Sequence, residues 1–225
     1  MDGIVRIYGD SRLWGVEVSP VATTSKHAMP GATYHIMFDA IKRHHRRAPA
    51  KYVVICGGLC DIATRVVDQE INYREVYQQY DSVTLDHIKD TIDRIDLFLR
   101  AEGVVPIWAT MPPMNFAHHN QYNVSAGRTN KLLYQNGYKS MQTTHNIMVR
   151  DVNKYLHRIN ACSKVATPFL ASWVQHFNNG RIEYRWGHLY DGVHPDDYMV
   201  QKWGQHLTKV ININTTHFGV DIQEH

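Results

Sequence analysis

The chain has 225 residues, 44% of them hydrophobic and 20% charged, a balance that suits one globular domain over residues 1–225 and excludes wholesale disorder. Its 24 basic and 21 acidic residues leave a formal charge of +3, which does not call for a nucleic-acid partner. Three cysteines, with no Cys-x-x-Cys pair, exclude a disulfide framework and a zinc ribbon. No basic segment leads into an apolar run, and no 18-residue apolar stretch is present, so neither a signal peptide nor a membrane span is expected. Together these features predict an intracellular protein. Fifteen histidines make its charge sensitive to mild acid.

In chain order, Ile4-Val5-Arg6-Ile7-Tyr8 reads as a short buried strand that breaks at Gly9 and presents Asp10 and Ser11 beyond its end. A polar, irregular region extends to Pro30. A helix is predicted from Ala32 to His45, with Tyr34, Met37, Phe38 and Ile41 inward and a basic run, Lys42 to Arg47, at its C-terminal end. Lys51 to Cys56 is the clearest strand. Asp61 to Tyr80 reads as helical turns and loop. Asp81 or Ser82 then caps a helix whose stripe is Leu85, Ile88, Ile92, Ile95 and Leu99, and Gly103 ends it. Val104 to Thr110 is a third strand, and Asn115 to Thr143 an elaborated loop with a little helix. Thr144 opens a helix with Met148, Val152, Tyr155 and Ile159 on one face. Val165 to Val174 is predicted as a last strand, bulged or at an edge because of Pro168. Tyr198 to Ile213 closes the chain as a helix with Val200, Trp203, Leu207 and Val210 inward. Strands alternating with helices predict a mostly parallel sheet covered on both faces.

Chemistry concentrates at two places. Ser11 stands where open α/β sheets collect reactive groups, outside the carboxyl end of a strand, although Gly-Asp-Ser is also ordinary turn composition. Near the other end, Asp191-Gly192-Val193-His194-Pro195 forms a shaped loop. A carboxylate three residues from an imidazole can hold one ring nitrogen while the other faces a hydroxyl, which is what a serine needs to become nucleophilic. An Asp-Gly turn with Asp196 as a helix cap is the plainer reading. His188, Asp191 and His194 are evenly spaced, but Gly192 and Pro195 break the helix that would align them. No zinc spacing occurs, so no metal and no cofactor are expected.

Gly9-Asp10-Ser11 after the first strand, with Asp191-x-x-His194-Pro195 before the last helix, resembles the SGNH (GDSL-like) hydrolase family across nearly the whole chain. The resemblance implies a flavodoxin-like three-layer α/β/α fold and acyl-enzyme chemistry on a small ester-bearing substrate. Ser11 would be the nucleophile, His194 the base and Asp191 its orienter. The oxyanion hole would use the backbone N–H of Ser11, that of a second-block glycine, for which Gly31 is the candidate, and a third-block asparagine. Gly31 is equally well explained as a turn glycine after Pro30. This chain reads Gly58-Leu59-Cys60-Asp61 where the family has Gly-x-Asn-Asp, so Cys60 occupies the asparagine position as a weaker donor. Arg12 replaces the family's usual apolar residue and would bind an anionic substrate group or form a surface ion pair. The cysteine also motivates a second expectation, a catalytically weak or inactive binding module of a viral or mobile-element protein, with nucleic acid as a possible partner.

Overall fold

The computed structural model describes residues 4–20, 22–68, 73–78, 82–128, 138–179 and 181–220. Four strands, β1 (Val5–Gly9), β2 (Thr24–Ala28), β3 (Tyr52–Cys56) and β6 (Val105–Trp108), form a wholly parallel sheet in the order β2-β1-β3-β6. The helices are α1 (Tyr34–Arg47), the single turn α2 (Leu59–Ile62), α3 (Ser82–Ala101), α4 (Phe116–Ser125), α5 (Tyr138–Cys162) and α6 (Asp197–Val220). Two antiparallel hairpins, β4 (Ala63–Asp68) with β5 (Tyr73–Gln78) and β7 (Gln175–Asn178) with β8 (Arg181–Tyr184), lie outside the sheet.

Alternation along the strands sorts their side chains into two cores. Tyr8, Val53, Ile55 and Trp108 pack with α1, α3 and α5 through Met37, Ile41, Ile92, Leu99, Val152 and Leu156. Val5, Ile7, Tyr52, Val54 and Ile107 pack with α6 through Met199, Trp203, Leu207 and Ile211. The result is the expected three-layer α/β/α arrangement.

The predicted inward stripes of α1 and α3 are buried throughout. Asp81, one of the two proposed caps of α3, lies outside the described residues. Thr33 caps α1 by accepting from the Ile36 N–H. The buried stripe of α6 is Met199, Trp203, Leu207, Val210 and Ile211, with Val200 only half-buried. The Asn115–Thr143 segment holds α4 and the start of α5, which begins six residues before Thr144.

Three predicted elements are corrected. The Thr24–Ala28 segment is a strand, because parallel pairing with β1 gives its polar residues a ladder on one side while the other side is left as an edge. Within Asp61–Tyr80 the chain turns from α2 into the β4–β5 hairpin, where strand formers such as Val66, Val67, Val76 and Tyr77 outweigh the polar composition. Val165–Val174 is not a strand. Pro168 has no N–H to donate, and the segment ends in a 3₁₀ turn at Leu170–Trp173.

That leaves β6 as an edge, and amide side chains cover it. Asn160 accepts from the Trp108 N–H (3.0 Å) and donates to its carbonyl (2.7 Å). Asn153 treats Met111 the same way (2.6 and 2.8 Å). The Pro168 carbonyl takes the N–H of Thr110 at 2.9 Å. Each asparagine supplies the donor and the acceptor that a neighbouring strand would have offered. Asn160→Leu removes both partners of a buried peptide and should cost about 2–4 kcal/mol in urea unfolding.

Beside Tyr8, His27 and His44 lie with ring centroids 4.4 Å apart, and Tyr8 Oη meets His44 Nδ1 at 3.0 Å. Burial lowers the pKa of both imidazoles, and the Arg6 charge adds to it. The unfolded chain therefore takes up these protons first, so stability is lost as pH falls through about 6.5. The urea midpoint should drop between pH 7.5 and 5.5, and drop less in His44→Gln. Asp61, whose burial pushes its carboxyl up to about 7, titrates in the opposite sense but equally in both proteins, so the difference reports the histidine.

Candidate active site

The chain leaves β1, crosses to β2 on one side and returns to β3 on the other, so the crevice between the carboxyl ends of β1 and β3 is the sheet's switch point. Pairing continues one residue past β1, with the Asp10 N–H donating to the Cys56 carbonyl at 3.3 Å. The Asp10 carboxylate then accepts from the Arg12 N–H (3.0 Å) and so caps the 3₁₀ turn Ser11–Leu13, which lifts Ser11 off the end of the sheet.

Arg12 is turned inward. Its Nε donates to both Asp10 oxygens (3.0 and 3.2 Å), Nη2 donates to Oδ2 (2.7 Å), and Nη1 donates to the Pro112 carbonyl (2.7 Å). Its side chain is 5% exposed. Both expectations for Arg12 are therefore corrected: it neither faces a substrate anion nor makes a surface pair. The buried pair ties the Ser11 turn to the loop after β6.

The loop before α6 assembles the other half. Asp191 Oδ1 accepts the backbone N–H groups of Val193 (2.9 Å) and His194 (2.7 Å), while Oδ2 takes His194 Nδ1 at 2.7 Å. Burial raises the Asp191 pKa, but the His194 ring and these backbone N–H groups outweigh it and hold the carboxyl down at about 2. With Nδ1–H committed to the carboxylate, Nε2 is left as an acceptor, and Ser11 Oγ lies 2.9 Å from it. The serine, histidine and aspartate singled out in the sequence are thus in one hydrogen-bonded line.

Several partners of this line have no motif to announce them. Gly192 adopts φ +80°, and a Cβ there would stand 2.5 Å from the His119 nitrogen, so α4 packs directly on the loop. His119 Nδ1 donates to the Asp191 carbonyl (3.0 Å), and the Asn115 N–H donates to the Gly192 carbonyl (2.8 Å). In the sequence His118-His119 is only an adjacent pair, and Asn115 a loop residue. Asp196 does cap α6, accepting from the Met199 N–H at 2.8 Å, and also meets His188 Nδ1 at 3.0 Å. The cap and the Asp-His pair coexist.

Gly31 sits in the exposed turn between β2 and α1, which the Met29 N–H fastens to the Gly9 carbonyl at 2.8 Å. It therefore lies at the same end of the sheet as Ser11. Cys60 is half-buried in α2, close enough to Arg12 for the two to interact electrostatically. Next to it, Asp61 accepts the Tyr34 N–H (3.0 and 3.3 Å), and Tyr34 Oη donates to the Gly57 carbonyl (3.1 Å). Among the described residues no cluster of three or more histidine, cysteine or acidic side chains is arranged to hold a metal. No described helix is long and apolar enough to cross a membrane.

No protein-family model matches the chain, and no curated protein sequence does. Solved structures do. A GDSL-like lipase from Bacteroides thetaiotaomicron superposes with a TM-score of 0.61 over 96% of this chain and 89% of its own, at 12% identity. A lipase/acylhydrolase from Enterococcus faecalis gives 0.58 over 93% and 95% at 14% identity. An acetyl xylan esterase, AlAXEase, gives 0.59 over 92% and 99% at 10% identity. With its parallel β2-β1-β3-β6 sheet between two helical layers, the chain has the SGNH (GDSL-like) hydrolase fold.

Proposed function

We propose that this protein is a serine-dependent hydrolase of small esters, with Ser11 as nucleophile, His194 as general base and acid, and Asp191 as orienter. The observation that carries this reading is the unbroken line Ser11 Oγ–His194 Nε2 (2.9 Å) and His194 Nδ1–Asp191 Oδ2 (2.7 Å). Acylhydrolase, lipase and esterase are the printed names of proteins sharing the fold, which supports an ester as the bond attacked. Cys56, Cys60 and Cys162 lie outside disulfides, which fits a reducing, intracellular setting.

In this reading Ser11 Oγ attacks the ester carbonyl as its proton passes to His194 Nε2, and the Asp191 carboxylate stabilises the imidazolium. The oxyanion of the tetrahedral intermediate meets the N–H groups of Ser11 and Gly31. Collapse expels the alcohol, which takes the proton from His194 and leaves an acyl ester on Ser11. Water then attacks that ester with His194 again as base, releasing the acid. The third donor is the thiol of Cys60, weaker than an amide.

A second reading, a binding module with little turnover, is favoured by that cysteine alone; nucleic acid is its candidate partner, with only the +3 charge behind it. A fluorophosphonate probe should label the wild type, and Ser11→Ala should abolish labelling. Asp191→Asn should lower kcat by about 10²–10⁴ through the wrong histidine tautomer. Cys60→Asn should raise kcat by about 10–10² if the hole is short of a donor. Absence of labelling and of turnover in both the wild type and Cys60→Asn would favour the binding module, which a salt-dependent gel shift with single strands then probes.

A further inference from the structure

We propose that the cavity between α5 and the β7–β8 hairpin binds a small phosphorylated molecule carrying a flat ring. The cavity is about 280 Å³ and contains none of Ser11, Asp191 or His194. One wall is a face of α5 bearing Arg150, Lys154 and His157, at the i, i+4, i+7 spacing that places side chains together. The other wall includes Phe169, His176 and Ile182. Among the described residues no acidic side chain lines it. Asp151 meets Arg150 Nε at 3.2 Å, and Glu183 meets His176 Nε2 at 3.0 Å, both from outside the wall.

Lys154 has no hydrogen bond or ion pair among the described residues, and it is exposed. An ammonium between a guanidinium and an imidazole, beside an Asp151 carboxylate that is turned to Arg150 and makes no ion pair with Lys154, is a setting that phosphate oxygens complete. His157 is prepared as a donor. The Thr167 hydroxyl accepts from Asn160 Nδ2 (3.1 Å) and can give its own proton to His157 Nδ1 (3.0 Å), which leaves the ring's proton on Nε2.

The ring preference comes from the opposite wall. Phe169 is 41% exposed and Ile182 37% exposed, two large apolar side chains beside the cations. The Phe169 ring stands 5.2 Å from the His157 ring, so the aromatic face begins where the cationic one ends. A volume just under the usual range for small-molecule sites suits a single ring system with one phosphate.

The test is isothermal titration calorimetry of the full chain at pH 7 with adenosine 5′-monophosphate, inorganic phosphate and adenosine. The monophosphate should bind one to one and more tightly than either part. Lys154→Glu, at an exposed position, should weaken it at least tenfold, and Phe169→Ala should weaken it about threefold or more while leaving inorganic phosphate unchanged. Lys154→Gln serves as the second variant if the first unfolds. Ser11→Ala should bind as the wild type does, which separates this site from the proposed hydrolase. Absence of saturable binding, or undiminished binding in both Lys154 variants, overturns the proposal. Binding of a single-stranded oligonucleotide without the monophosphate overturns it in favour of an extended surface.

Discussion

The ion pair between Asp10 and Arg12 is the contact on which the site's geometry depends. Two charges out of water are costly to keep unless each lone pair and proton is used. Here Asp10 takes Nε, Nη2 and a backbone N–H, and Nη1 goes to the Pro112 carbonyl. One side chain therefore fixes the turn that carries Ser11 and anchors the loop leaving β6. Either partner alone would leave the other buried and unmatched, so both ends of the clamp are constrained together.

The clamp continues into the helical layer. Pro112 follows Met111, whose peptide is held by Asn153 of α5, and three residues earlier the Trp108 peptide is held by Asn160. A row of amides on α5 thus does two things at once. It closes the open edge of β6, which would otherwise be a template for pairing with another chain. It also sets the height of the loop against which Arg12 is tied. Asn214 of α6 extends the pattern to Ala166, so the segment that runs along this edge is pinned by side chains together with the Thr110–Pro168 backbone bond, and not by a ladder.

What was legible in the sequence follows from whether a signal is local. The stripes of α1 and α3, the strands around Val5–Gly9 and Tyr52–Cys56, and the spacing of Asp191 from His194 are all set by neighbours within a few residues. Their order also carried the fold class. The β2 edge and the β4–β5 hairpin were hidden because polar strands depend on a partner that periodicity cannot show. Arg12 was misplaced for a related reason: a charged residue reads as exposed until its buried partner is known, and Asp10 looked like turn composition. His119 and Asn115 act through backbone atoms across the fold, and no residue pattern encodes that. Nothing local marks Asn153, Asn160 or Asn214 as partners of buried peptides, for the same reason.

The candidate triad itself divides along this line. The Asp191–His194 half is preassembled by its own turn, since the same carboxylate that orients the ring also accepts two backbone N–H groups of the loop. Only one long-range relation remains, that between Ser11 and His194, 183 positions apart. It is set by apolar packing added to the Asp10–Arg12 clamp. Leu13 and Val16 just after the serine share one apolar cluster with Leu189, Met199 and Trp203 on either side of the histidine. One residue beyond Val16 and Trp203, Gly204 of α6 lies so close to the Glu17 carbonyl that a Cβ would overlap it. Close packing of this kind has little compliance, so a shift of α6 would be carried to His194. A hydrogen bond at 2.9 Å tolerates only a few tenths of an ångström before it weakens, and the helix that follows the base therefore needs the smallest residue where it meets the segment following the serine.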